Sequence, residues 1–434
     1  MDIVWVIAVV LGSIFLLLGA GVWIAISLAI AGIIGIYFFT GIPPGKVLGM
    51  IAWNTNNSWA LTCLPLFVFM GEILYRTKLS EQLFDGLAPW IYRLPGKLLH
   101  TNVLACAMFA AVSGSSAATT ATIGRVTLAE FKKLNYDLPL SIGSLAGAGT
   151  LGFLIPPSII MIIYGVLAEV SIGKLFIAGV LPGLMVAGIY MVYIIIRGLI
   201  NPGLTPAMVT EYSWRDRLRS IPKIMPTVFL IALVLGSIYA GWATPTEAAA
   251  CGVGGSLLVA AMSRTLNWKT FTESLMAATR TTCMICFIVT GAAFLSVAVG
   301  YLGIPRQLAE IIASFKLSPY LLLITLSVFY LILGCLLDGI SMVVMTLPIV
   351  LPLITGAGFD LVWFGIFVVL MVELAQITPP VGFNLFVIQG LTGHEIGSIA
   401  RNALPFFFLM LLATAILAIF PEIALWLPRL MIGR

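Results

Sequence analysis

Gly152-Phe153-Leu154-Ile155-Pro156-Pro157-Ser158 breaks an apolar run that extends from Leu138 to Val170. Ile377-Thr378-Pro379-Pro380-Val381-Gly382-Phe383 breaks a second one, from Leu361 to Thr392. The two Pro-Pro pairs lie 223 residues apart, and at that same offset Leu181-Pro182 meets Leu404-Pro405 and Ser115 meets Asp338. Proline removes an amide donor and collides with the preceding turn, so each run reads as a helix interrupted near its middle. Recurrence at a fixed spacing points to an internal duplication.

Two other runs, Asn102–Lys133 and Tyr320–Ile354, are too long for one bilayer crossing. Their centres are small, polar or glycine-bearing: Val-Ser-Gly-Ser-Ser-Ala-Ala-Thr-Thr in the first, Leu-Leu-Asp-Gly-Ile-Ser in the second. They read as re-entrant hairpins with tips near Ser113–Ser116 and Leu337–Ser341.

The rest of the chain fixes the solvent. Hydrophobic residues make up 61% and charged residues 9%, against roughly a quarter charged in soluble domains. Most windows of about 20 residues are apolar enough to cross the hydrocarbon core as a helix. Backbone groups in that medium must satisfy one another, which leaves a helix bundle or a closed barrel. The period-2 alternation of barrel strands is missing. The predicted fold class is therefore an all-α polytopic membrane protein, with further spans at Ile3–Leu18, Val22–Phe39, Leu61–Tyr75, Leu175–Ile196, Ile224–Ala240, Glu247–Ala261, Cys283–Gly300 and Leu404–Leu427. With the two broken helices this gives ten full crossings and two hairpins. Trp214–Lys223 reads as a basic loop. The first run follows Asp2 rather than a basic segment and is too long for a cleavable signal core.

Lys and Arg set the orientation. With Met1 outside, 15 of them fall inside and 6 outside (Lys46, Lys174, Arg306, Lys316, Arg429, Arg434), Arg125 lying within a hairpin arm. Both termini are then periplasmic. The first hairpin enters from the cytoplasm and the second from the periplasm, so the halves face opposite ways. Inverted repeats with discontinuous helices are the build of secondary transporters. Converging breaks would offer half-helix N-termini to an anion and released carbonyls to a cation; the plainer alternative is that Pro and Gly merely kink packed helices.

Candidate residues follow. Ser113, Gly114, Ser115 and Ser116 combine a glycine turn with oxygen ligands suited to a monovalent cation. Asp338 is an ionisable group at membrane depth, or a helix N-cap. Glu373 precedes the second break, and Asn384 and Gln389 follow it. Thr119, Thr120 and Thr122 either face the site or let helices approach closely. Arg125 either attracts a carboxylate or faces water. Glu247 suits the first turn of a helix. No nucleotide-binding, serine-nucleophile or zinc motif occurs. The six cysteines, including Cys283-x-x-Cys286, read as buried thiols, and His100 and His394 are too few for a metal centre.

Several motifs, in order, resemble one family: Leu64-Pro65-Leu66-Phe67 leading to Gly71-Glu72-Ile73-Leu74, Leu94-Pro95-Gly96, Ser113-Gly114-Ser115-Ser116-Ala117, Ile155-Pro156-Pro157-Ser158, Ala243-Thr244-Pro245-Thr246-Glu247-Ala248-Ala249, and Thr378-Pro379-Pro380-Val381-Gly382-Phe383-Asn384-Leu385-Phe386. The chain resembles the large membrane subunit (DctM- or SiaM-like) of the tripartite ATP-independent periplasmic (TRAP) transporters. The resemblance implies an inverted-repeat elevator: N-terminal scaffold over 1–98, a first transport half over 99–171, scaffold and basic loop over 172–280, a connecting helix over 281–318, a second transport half over 319–393 and a C-terminal helix over 394–434. It implies Na⁺-coupled import of a small organic acid (dicarboxylate, sugar acid or sialic acid) across a bacterial inner membrane. The implied partners are a four-helix membrane subunit and a periplasmic substrate-binding protein. One Na⁺ is implied at Ser113, Gly114, Ser116, Gly149, Gly152 and Pro156, and another at Asp338, Gly339, Thr378, Pro379 and Gly382. Substrate is implied near Ser115, Ala117, Thr119, Arg125 and Asn384. An acid that some members carry is replaced here by Thr119 or Thr120, leaving the substrate class open. The rival readings are a stand-alone divalent-anion/Na⁺ symporter, a membrane-embedded enzyme and a channel.

Overall fold

The computed structural model describes residues 3–432 apart from 207–211, 305, 306, 308–317, 336 and 381. Met1, Arg306, Lys316 and Arg434, on which the orientation reading draws, lie outside the described residues. All regular structure among the described residues is helical. Seven helices are long and apolar enough to cross a bilayer, or eight if Pro44–Asn56 and Trp59–Tyr75, bent by 55°, form one span. Ile24–Phe39 and Leu361–Gln376 are apolar helices of 16 residues, about 24 Å long.

The duplication is visible in the helix bounds. Ser116–Lys133 and Gly339–Gly356 each have 18 residues and begin 223 positions apart. Leu138–Gly149 and Leu361–Gln376 begin at the same offset, each capped by an aspartate. Asp137 accepts from the amide of Leu140, and Asp360 from those of Val362 and Trp363. Each cap satisfies amides that a helix start leaves open.

Both expected hairpins form. In the first, Leu99–Ser113 and Ser116–Lys133 are joined by two residues. Gly114 takes the left-handed conformation (φ 64°) that closes a helix without a Cβ clash, and extended Ser115 caps the next helix through Ala118 N–H. In the second, Pro319–Gly334 leads to Gly339–Gly356, and Asp338 accepts from the amides of Ile340 and Ser341.

The broken helices occupy the middle of the body. Every residue from Leu140 to Leu154 is buried, as is every residue from Trp363 to Gln376. Helices apolar on all sides belong at such a centre. By contrast, Trp214–Ile231 buries only Ser220, Thr227 and Leu230, so its apolar outer face is left for lipid or another subunit.

Several expectations are corrected. The basic stretch Trp214–Lys223 is helical, because Ser213 and Asp216 form a reciprocal capping box. It packs beside the helix Leu79–Ile91, which buries Leu79, Leu83, Phe84 and Leu87 on one face. Lys223 pairs with Asp85 at 2.8 Å across these two helices. The last expected span is two helices, Ile396–Ile419 and Glu422–Ile432, parted at Phe420-Pro421. Cys63 and Cys106 are buried, but Cys251 and Cys283 are exposed: apolar residues on the outside of a membrane protein face hydrocarbon rather than a core.

Close approach at Gly143 joins the first broken helix to Ile396–Ile419. A Cβ there would stand 2.2 Å from the Asn402 carbonyl oxygen. Gly143→Ala is expected to lower stability by about 1–3 kcal/mol through overpacking, measured as a reduced thermal midpoint in detergent. An unchanged midpoint would show that these helices are not in contact.

Candidate functional site

Each hairpin tip rests on the interrupted helix of its own half. In the first half the Ile159 amide donates to the Gly114 carbonyl at 3.3 Å. A Cβ on Gly114 would meet the Pro157 carbonyl at 2.8 Å, and one on Gly152 would meet Ser116 Cα at 2.3 Å and its nitrogen at 2.5 Å. Glycine at both positions is what lets the tip backbone lie against the break. Beyond it, Ser158 caps the half-helix Ile159–Leu167. Gly71 brings the helix Cys63–Tyr75 onto the same tip, its Cβ position 2.9 Å from the Ser113 carbonyl.

The second half repeats this with different side chains. The Cβ position of Gly339 is 2.4 Å from Val372 Cγ1 and 3.1 Å from Gln376 Nε2, and that of Gly334 is 2.2 Å from Ala375 Cβ. The carbonyls of Thr378 and Gln376 both lie within 2.9 Å of the Cβ position of Gly382. The Thr378 hydroxyl donates to the Leu374 carbonyl at 2.6 Å. Pro379 is exposed and Pro156 is buried. Asp338 is exposed in the isolated chain, accepting from Ser341 Oγ as well as the two amides. The N-cap role anticipated for it is therefore present.

The halves meet through polar groups. Glu373, from the second half, is fully buried. Its Oε1 accepts from Ser116 Oγ at 2.5 Å and from the Phe153 amide at 2.7 Å, both in the first half. Its Oε2 has no hydrogen-bond partner among the described residues. The helix Phe383–Thr392 packs against Ser116–Lys133 and carries Asn384, fully buried, with neither amide atom partnered. Thr120 Oγ1 is likewise buried without a partner. A Cβ at Gly149 would stand 1.9 Å from Thr120 Oγ1 and 3.4 Å from Asn384 Nδ2, so these two orphans share one small space. Buried polar groups without partners are rare and mark places where a ligand or water completes the bonding.

The expected first-half residues Ser113, Gly114, Ser115, Ser116, Gly149, Gly152 and Pro156 thus come together. In the second half, Gly339 packs on the helix that leads into the break, and Thr378, Pro379 and Gly382 belong to the break itself, while Asp338 is exposed at the tip and bonds within its own helix start. Ala117 and Ser115 are partly exposed beside the first tip. Thr119 bonds Ser113 across the tip at 2.9 Å, so the orphaned hydroxyls in this arm belong to Thr120 and Thr122. Arg125 does not join the cluster. It is exposed and lies over the Tyr75 ring, its Nη2 3.4 Å from the phenol oxygen. A separate cavity of about 460 Å³, lined by Leu167, Glu169, Leu347, Leu351 and Leu361 among others, sits at the far end of the second hairpin. Among the described residues no cluster of three His, Cys, Asp or Glu could hold a metal ion.

Two hairpins seated on two interrupted helices inside an apolar bundle define a helical membrane transporter. The fold is shared with the YdaH transporter of Alcanivorax borkumensis (TM-score 0.62, 14% identity, 88% of each chain) and with Neisseria gonorrhoeae MtrF, described as one of a class of antimetabolite efflux pumps (TM-score 0.56, 13% identity, 93% of each).

The family model "Tripartite ATP-independent periplasmic transporter, DctM component" matches residues 11–423, and the chain belongs to that family. It is similar to the C4-dicarboxylate TRAP transporter large permease protein DctM of Pseudomonas aeruginosa (35% identity over 406 residues, 93% of this chain and 94% of that one). It is also similar to the ectoine TRAP large permease TeaC of Halomonas elongata (30%, 93% and 94%) and the sialic acid TRAP large permease SiaM of Vibrio cholerae (28%, 87% and 88%). These relatives are named as permeases, not enzymes.

If the tip of the first hairpin is held by close backbone contact, Gly152→Ala must displace Ser115 and Ser116. Gly183→Ala instead meets the movable Ile155 side chain, at 2.8 Å. Gly152→Ala is expected to cost about 1–3 kcal/mol, read as a clear fall in thermal midpoint, and Gly183→Ala less. The reverse order would contradict the packing described.

Proposed function

We propose that this chain is the transporting subunit of a Na⁺-coupled importer of a small organic acid in a bacterial inner membrane, with both termini periplasmic. The observation that carries the reading is the convergence of two hairpin tips on two interrupted helices, with orphaned polar atoms between the halves. Irregular backbone and unpartnered polar groups are costly inside an apolar body unless they serve a ligand. The clustered oxygens at each tip suit one Na⁺ apiece: Ser113, Gly114, Ser116, Gly149, Gly152 and Pro156 in the first half, and Asp338, Gly339, Thr378, Pro379 and Gly382 in the second. Substrate occupies the region between them, near Ser115, Ala117 and the Asn384 amide, whose Nδ2 can donate to a carboxylate.

The relatives support the chemical class, since their names span C4-dicarboxylates, sialic acid and ectoine, all carboxylate-bearing. Their variety also fits a division of labour in which a periplasmic binding protein selects the substrate and a small four-helix membrane subunit covers part of the outer apolar surface. In the elevator reading, residues 99–171 and 319–393 move together against the remaining scaffold. A stand-alone symporter would need no binding protein.

Proteoliposomes holding this chain, its small membrane subunit and the cognate binding protein are expected to accumulate labelled substrate only under an inward Na⁺ gradient. Uptake without the binding protein would favour the stand-alone symporter. Gradient-independent flux would favour a channel. Asp338→Asn should raise the Na⁺ concentration for half-maximal uptake several-fold while leaving membrane expression unchanged. An unaltered Na⁺ response would remove Asp338 from the ion site.

A further inference from the structure

We infer that the cation of the first half is held by a carboxylate from the second: Glu373 Oε2 is its charged ligand, with Thr120 Oγ1 and the Asn384 amide oxygen completing the cage. The inference rests on the Na⁺ reading above and changes the character of one of its sites. The residues gathered at the first tip are all neutral, whereas the second tip carries Asp338. Glu373 supplies the matching charge across the repeat interface, so each site has one carboxylate for one monovalent ion.

Three observations lead there. First, Glu373 is fully buried, and the ion pairs found among the described residues do not include it. A buried carboxylate without a counter-charge is strongly unfavourable, so a cation or a proton must accompany it. Second, the two carboxylate oxygens are used differently. Oε1 accepts from Ser116 Oγ and from the Phe153 amide, so the open position is at Oε2. A proton on Oε2 would in turn need an acceptor, and that oxygen has no partner among the described residues. A cation meets both conditions.

Third, two other orphaned polar groups lie about one helical turn away. Ser116 and Thr120 lie four residues apart on one helix, hence on one face, with Cβ atoms about 5–6 Å apart. Phe153 lies four residues beyond Gly149, whose Cβ position adjoins both Thr120 Oγ1 and Asn384 Nδ2. The Glu373 contacts and the Thr120–Asn384 space are therefore separated by about one helical turn, near 5.4 Å. The available groups are hard oxygens with a single negative charge, and the donor set lacks sulfur and imidazole. That chemistry fits a monovalent cation such as Na⁺.

This arrangement makes ion binding a property of both repeats at once. An ion at Oε2 would hold the first hairpin, the first break and the second broken helix against one another. Losing it would leave a bare charge at that junction and loosen the body that has to move as a unit.

The test is Na⁺-dependent thermal stabilisation of the purified full chain in detergent, without substrate, at constant ionic strength with choline as replacement. When ions bind only the folded state, the rise of the midpoint with the logarithm of Na⁺ concentration scales with the number bound. With one ion per half, Glu373→Gln should reduce that slope by about a half, as should Asp338→Asn, while the double variant should lose it nearly completely. If Glu373→Gln does not fold, Thr120→Val serves, with an expected several-fold weaker apparent Na⁺ affinity. A wild-type chain indifferent to Na⁺ would overturn the sodium reading itself. A wild-type response that survives undiminished in Glu373→Gln would overturn this inference alone. So would a variant that keeps its Na⁺ slope and instead loses a dependence on pH, which would make Glu373 a proton carrier.

Discussion

A helix broken inside an apolar body releases amides and carbonyls that water cannot reach, and everything distinctive in this structure follows from where those groups go. The chain breaks two central helices at Pro-Pro and answers each break with a hairpin tip. The Gly114 carbonyl takes up the Ile159 amide, and Asp338 and Ser115 cap the helices that leave the tips. Glycines at 114 and 152 make the approach close enough for backbone to face backbone, and Gly339 lets the second tip lie against the Val372 and Gln376 side chains. The remainder of the fold surrounds this centre: helices buried on every side within, and helices with exposed apolar flanks outside.

The duplication explains the economy of the design, and its departures from symmetry carry the chemistry. Helix starts and aspartate caps coincide at the 223-residue offset. The polar side chains do not. Glu373 stands where the first half has Thr150, and Asp338 stands where it has Ser115. One half thus keeps its acid at its tip. The other half receives an acid from across the interface, with the Glu373 carboxylate joining Ser116 and Phe153. A symmetric backbone with asymmetric acids is a means of giving two similar junctions one charge each, and it ties the halves together.

Much of this is legible in the amino-acid sequence. The Pro-Pro pairs, the small-residue tip and the offset that places Ser115 on Asp338 are local signals with direct mechanical meaning. The contact of Glu373 with Ser116 is not legible there, because a contact between residues 257 positions apart depends on which faces of two buried helices meet. Where every residue of a helix is apolar and buried, no periodicity marks the facing side. The same limit separates Thr119 from Thr120: both are buried, and only helical phase shows that the first pairs with Ser113 while the second faces Asn384. Two features carry local signals that composition alone hides. Ser213-x-x-Asp216 announces a helix start in a stretch whose basic composition suggests a loop. Asp137 and Asp360, at the repeat offset, announce paired caps. The outward position of Cys251 and Cys283 reflects the solvent, since in a membrane an apolar residue need not be inside.

The account stands on both tips meeting their own breaks within the bilayer, joined by Glu373. An experimental structure in lipid nanodiscs with sodium tests this most directly. It should show Ser115 and Asp338 near mid-bilayer, the Gly114 carbonyl on the Ile159 amide and the Glu373 carboxylate on Ser116 and Phe153. A hairpin whose tip emerges in the opposite headgroup layer, or a Glu373 side chain turned away from the first half, would contradict it.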